Sequence, residues 1–171
     1  MRNYSLLLAA AVAFIFLFAE NVHAAPQKLA GYGDWEVFSL ATQQSKICYA
    51  ASRPQAVEPT GVRRGSVYML VTHKPGEKVR NEVSVYVGYP LVEGSDVEAR
   101  IDGGAKYALF THGRSAWAPD AQTDKAISDA MMAGSTLTIS GTSVRGTKTT
   151  DSYSLKGFTA ALAKMDGACP P

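Results

Sequence analysis

The chain has 171 residues, with 17 basic and 15 acidic side chains and 19% of its residues charged. That length suits one domain with a substantial hydrophobic core. A net charge of +2 excludes the basic stripe of a nucleic-acid surface, and the short Arg63-Arg64 and Lys74, Lys78, Arg80 groups read as solvated loop charges.

Residues 1–24 read as an export signal. Arg2 supplies a positive start, and Leu6 to Phe18 is an unbroken apolar stretch. Val22 and Ala24 stand at the minus-three and minus-one positions of a small-residue cleavage site. The apolar stretch is about 13 residues, short of the ~20 that a spanning helix needs. Glu20, Asn21 and His23 follow it at once. An uncleaved anchor is the alternative. Cleavage after Ala24 leaves one domain, residues 25–171, without a stable membrane span.

Gly31 to Trp35 reads as a turn feeding a strand, with Trp35 and Val37 on one side and Glu36 and Phe38 on the other. Ile47 to Ala51 is a second short strand and carries Cys48. Residues 52–65 contain Pro54, Pro59 and Gly61 and read as a loop. Val67 to His73 is a β run, closed by a turn at Pro75-Gly76. From Glu82 to Tyr89, Val83, Val85, Val87 and Tyr89 share one face and Glu82, Ser84 and Tyr86 the other. This is the pattern of a half-buried strand with one solvent face.

Val97 to Ile101 and Lys106 to Thr111 flank Asp102-Gly103-Gly104, a hairpin signal. Ser115 to Ala118 is a short extended piece stopped by Pro119. Thr123 is expected to cap a helix from Asp124 to Ala133, with Ile127, Ala130 and Met131 as its apolar face. Thr136 to Thr142 and Thr147 to Leu155 are strands around a turn at Arg145-Gly146. Gly157 opens a last helix, where Phe158, Ala161, Leu162 and Met165 form one stripe. The sum is an all-β domain with two short helices, one near the C-terminus. Such chains fold as two-sheet sandwiches or closed barrels. The sandwich is favoured here, and nothing in the spacing excludes a barrel.

Cys48 and Cys169 are the only cysteines. Two lone cysteines in an oxidising compartment most often pair. The loop between them is about 120 residues, and chain entropy alone puts such a crosslink near ~5 kcal/mol as an upper guide. Free or intermolecular thiols are the alternative. No Cys-x-x-Cys supports redox chemistry.

Nucleophilic catalysis needs a nucleophile beside a base beside an orienting group. His112, Ser115 and Asp120 are the nearest set, but Trp117 stands where a nucleophile elbow needs glycine. Ser115 therefore reads as a strand residue and His112 as a hairpin histidine. His73 and His112 lack metal-ligand spacing. Glu93, Asp96 and Glu98 read as a surface loop with too few oxygens for calcium. No phosphate loop or dinucleotide fingerprint is present, so no catalytic residue, metal or cofactor is assigned. Trp35, Trp117, Tyr86, Tyr89, Tyr107 and Tyr153 could line a groove, but packing is the expected role for most of them.

Several stretches, taken in order, carry a resemblance. They are Gly33-Asp-Trp-Glu-Val37, Lys46-Ile-Cys-Tyr-Ala50, Asn81-Glu-Val-Ser-Val-Tyr-Val-Gly-Tyr-Pro90, Ala116-Trp117, Gly134-Ser135, Gly141-Thr-Ser-Val-Arg-Gly-Thr147 and Asp151-Ser-Tyr-Ser-Leu-Lys-Gly-Phe158. From about residue 31 to 169 the chain resembles the invasion-associated locus B family of exported α-proteobacterial proteins. The resemblance implies an immunoglobulin-like β-sandwich in the periplasm, at the outer membrane or released. It implies a role in envelope biology or host-cell association, with an envelope or host protein or glycan as partner, and it transfers no active site. Many members carry a cysteine soon after Gly-Asp-Trp, where this chain has Ser39. The resemblance therefore makes Cys169 the replacement partner of Cys48. The function expected is a non-enzymatic interaction module. The alternative is a small enzyme or enzyme inhibitor built on His112, Ser115 and Asp120.

Overall fold

The computed structural model describes residues 25–43 and 45–170, so the expected export signal lies outside the described residues. Eleven strands and two helices follow in order. The strands are β1 (Gln27–Tyr32), β2 (Trp35–Ala41), β3 (Lys46–Ser52), β4 (Ala56–Glu58), β5 (Tyr68–Lys74) and β6 (Val79–Tyr86). After these come β7 (Asp96–Ile101), β8 (Lys106–His112), β9 (Ser115–Trp117), helix α1 (Ala121–Ala133), β10 (Thr136–Thr142), β11 (Lys148–Ser154) and helix α2 (Phe158–Ala168). The Pro75-Gly76 turn is one turn of 3-10 helix.

All strands belong to one antiparallel ladder, in the order β1-β2-β3-β5-β6-β9-β8-β7-β10-β11-β4. Alternation decides its inner face. Trp35 and Val37, Cys48 and Ala50, Met69 and Val71, Val83 and Val85, and Leu137 and Ile139 all point into one core. The ladder doubles back over that core. The Trp35 indole N–H donates to the Ser154 carbonyl at 3.0 Å, and the Asp34 N–H donates to the Lys156 carbonyl at 3.1 Å. The second strand of the ladder thus meets the end of the tenth. The all-β class with two short helices holds, and any two layers are halves of one continuous ribbon.

Three local features differ from expectation. β1 has no clean alternation because it is an edge strand, largely exposed and held by pairing with β2. β4 lies inside the expected loop. Proline suits an edge, and Ala56 to Glu58 pair with β11 between Pro54 and Pro59. Helix α1 begins earlier than Asp124. Asp120, in extended backbone, is its cap, and the Asp120 carboxylate accepts from the Thr123 N–H at 2.7 Å. That hydrogen bond holds the Asp120 carboxyl below the usual carboxylate range.

The stripe of α2 is the expected one: Phe158, Ala161, Leu162 and Met165 are all buried. Its first turn lies against β1. A Cβ on Gly157, where φ is +94°, would collide with the Tyr32 carbonyl. Its far end is tied to the sheet. Cys48 and Cys169 form a disulfide with their Cα atoms 5.9 Å apart. His73 lies opposite Cys48 in the register and is fully buried. The Asn81 N–H donates to His73 Nδ1 at 3.2 Å. That leaves the ring proton on Nε2, which donates to Asp166 of α2 at 3.0 Å. Arg80 pairs with the same carboxylate.

Arg64 is not a solvated loop charge. Its guanidinium is buried and forks onto the wholly buried Asp151, with Nη1 3.0 Å from Oδ2. A doublet on a loop gives no hint of this, because the partner lies 87 residues away. Lys74, expected as a solvated loop charge, ends β5 and is paired with Glu82 at 2.9 Å.

Candidate interaction surface

β2, β3, β5, β6, β9 and β8 are consecutive in the ladder. Residues that alternate with the core on these strands share the outer face. The register places aromatic side chains there in directly opposed pairs: Phe38 with Tyr49, Tyr68 with Tyr86, and Trp117 with Phe110. Each pair is stacked, with ring centroids 5.2, 4.9 and 5.7 Å apart. Cross-strand aromatic pairs of this kind contribute roughly 0.2–1 kcal/mol each. Stacking accounts for their alignment but not for their exposure: Phe110 is 47% exposed and Tyr86 40%.

The rings share this face with Glu36, Thr72 and Glu82, so it mixes aromatic and polar side chains. Ser84 lies between Leu70 and Trp117 in register and is only 7% exposed. The solvent face expected for β6 is therefore partly covered. Burial, with a smaller push from the neighbouring phenol, raises the hydroxyls of Tyr49 and Tyr68 above their ordinary range. Both remain neutral at any physiological pH. The aromatics foreseen as packing residues divide accordingly. Trp35 and Tyr153 are core, Tyr89 and Tyr107 pack partly buried against it, and Trp117 and Tyr86 stand on this face. Phe38, Tyr49, Tyr68 and Phe110 complete the face; each looks ordinary on its own strand, and only the pairing assembles them.

At its β8–β9 end the face borders a groove of about 580 Å³, lined by Phe110, Trp117 and His112 and by Lys78, Arg80 and Asp124. Asp124, on α1, is buried and accepts the Val83 N–H at 2.7 Å. Along β6, β9 pairs only with Ser84 to Tyr86, so this carboxylate completes the hydrogen bonding of β6 beyond the end of β9. Burial pushes the Asp124 carboxyl up to about 6, aided by Glu82 and Asp120 and opposed by the Val83 hydrogen bond. The folded form thus holds its proton more tightly than the unfolded chain. The associated stability is complete below pH ~4 and lost as pH rises through ~6. Asp124→Asn should flatten the fall in melting temperature between those limits relative to the parent. Parallel slopes for the two proteins would show that Asp124 does not titrate there.

His112 and Ser115 face one another across the β8–β9 hairpin. His112 is exposed and lies against Trp117 at 6.4 Å, whereas Ser115 is 3% exposed. Asp120 is occupied by its helix cap. Among the described residues no hydrogen bond joins these three, and no three metal-ligating side chains converge. No helix of the described residues is long and apolar enough to cross a membrane.

The family model described as Invasion associated locus B (IalB) protein matches residues 35–166. The chain belongs to the invasion associated locus B family. The IalB match spans the aromatic face from β2 to β9 and runs on into α2. One similar solved structure is the crystal structure of invasion associated protein b from Bartonella henselae, with a TM-score of 0.58 and 18% identity. The alignment covers 83% of this chain and 96% of that one. At that identity the likeness speaks for a shared IalB fold alone. No curated protein matches the chain.

Proposed function

We propose that this IalB-family chain is an exported, non-enzymatic interaction module of the cell envelope, and that the outer aromatic face is its contact surface. Residues 1–24 are removed after Ala24, residues 25–171 act as one domain, and the product resides in the periplasm, at the outer membrane or outside the cell. The observation that carries the reading is the stacked Trp117–Phe110 pair, with Phe110 nearly half exposed at the edge of a groove. Exposed aromatic clusters bind protein hot spots and sugar faces, because large rigid rings lose little entropy on contact. The family description adds invasion, so an envelope or host protein or glycan is the partner class.

The test is capture of a partner from envelope extract and from host-cell surface material by the purified protein. Phe110→Asp combined with Tyr86→Asp should abolish specific capture, because it replaces two exposed rings by charge, while the melting temperature stays within a few degrees of the parent. Undiminished capture by this variant would rule out the aromatic face as the contact surface.

A further inference from the structure

A second cleft, of about 560 Å³, shares no lining residue with the groove beside Phe110 and Trp117. Arg63, Arg64, Arg114 and Arg145 line it, and no carboxylate does. Arg64 is satisfied by Asp151. The other three are exposed, and none makes an ion pair among the described residues. Three unpaired guanidinium groups in one cleft exceed the net charge of the whole chain, which is +2. Crowding like charges opposes folding, so the arrangement calls for an anion.

The cleft is also held in shape. Its three arginines come from three separate loops, and residues 87–91 tie all three together. Gly88 accepts from the Gly65 N–H at 2.8 Å, Val87 donates to Arg114, Leu91 donates to Gly113, and Pro90 accepts from the Val144 N–H. A Cβ on Gly88 would stand 2.6 Å from the Gly65 carbonyl, so only glycine permits this close approach. Tyr89 and Thr149 contribute hydroxyls that hydrogen-bond to each other.

We infer that this cleft binds a phosphoryl group. The planar guanidinium fork matches phosphate oxygens two at a time. A single carboxylate would leave most of the positive charge uncompensated, whereas a phosphate monoester or diphosphate offsets about two charges. The exposed Val62 and Val144 line the same cleft beside Arg63 and Arg145. The phosphoryl group could therefore come from a lipid headgroup as readily as from a soluble ester. This inference is independent of the aromatic face.

The experiment uses protein purified from cells expressing the full chain, at low ionic strength. Inorganic pyrophosphate is titrated while the backbone amides of Arg63, Arg114 and Arg145 are followed by NMR. In parallel, the protein is sedimented with phosphatidylcholine vesicles with and without phosphatidic acid, whose headgroup is a phosphate monoester. Saturable shifts with pyrophosphate assign a soluble phosphate source. Sedimentation only with phosphatidic acid assigns a headgroup. In either case Arg63→Ser, Arg114→Ser and Arg145→Ser should each weaken binding by about tenfold, with the melting temperature unchanged, and the triple variant should bind neither probe. Three results overturn the proposal: no binding of either probe, undiminished binding by the triple variant, or saturable binding of a sulfated oligosaccharide in the absence of both.

Discussion

Replacing both cysteines, as in Cys48→Ala with Cys169→Ala, should lower the melting temperature by about 10–15 °C. The closed segment is long, with a sequence separation of 121, and loops of that length give the largest entropic stabilisation of the folded state. The full chain-entropy figure is ~5 kcal/mol, and each kcal/mol is worth roughly 2–4 °C in a domain of this size. Alanine is the better replacement because both side chains are buried, at 0% and 2% exposure, and a serine hydroxyl there would want a partner. The loss should begin at α2. Without the disulfide, the end of that helix is held by Asp166 through His73 and Arg80 and by Lys46, which donates to the Ala168 carbonyl at 3.1 Å. Amide exchange in α2 should therefore quicken before exchange in β10 or β11. A double variant that melts with the parent would show that the buried stripe of α2 suffices alone.

The second large effect concerns Arg64 and Asp151. Arg64→Ala leaves a carboxylate with no solvent exposure and no counter-charge, and breaking a buried pair in this way costs about 3–5 kcal/mol. Urea denaturation should show that loss with little dependence on salt, since the pair is shielded from solvent ions. The double change Arg64→Met with Asp151→Leu should recover most of it, because hydrophobic replacement removes the desolvation cost with the charges. The Lys28–Glu36 pair is the control: both side chains are more than half exposed, and its removal should be close to neutral. If Arg64→Ala proved as mild as Lys28→Ala, the buried pair would not be what anchors the loop.

These two predictions differ in how far the sequence anticipates them. The disulfide follows from two lone cysteines and a missing third, so it could be expected from composition and resemblance. The Arg64–Asp151 pair could not, because nothing local distinguishes Arg64 from Arg63. The same division runs through the fold. β10 matched its expected span, and α2 matched its buried stripe, because period and capping are written into neighbouring residues. β4 and the first turn of α1 escaped, because an edge partner and a cap three residues earlier outweighed local preference. The aromatic face needed the register of six strands before its rings could be seen as one surface. The arginine cleft needed three turns far apart in sequence to be brought to one place. The surfaces on which function is proposed are thus the features least legible in a linear reading. Alternation along a strand reports which side is buried, but not which neighbours share the other side.

The covalent ring formed by Cys48 and Cys169 also has a mechanical consequence. Tension applied along the chain from either end passes through the sulfur bridge and bypasses everything between those residues, including the whole of β4 to α2. The described residues before Cys48 can be drawn out, and at about 3.5 Å per residue they yield roughly 80 Å of slack. Beyond that length the pulling force would load a covalent bond while the remaining hydrogen-bonded strands carried none of it.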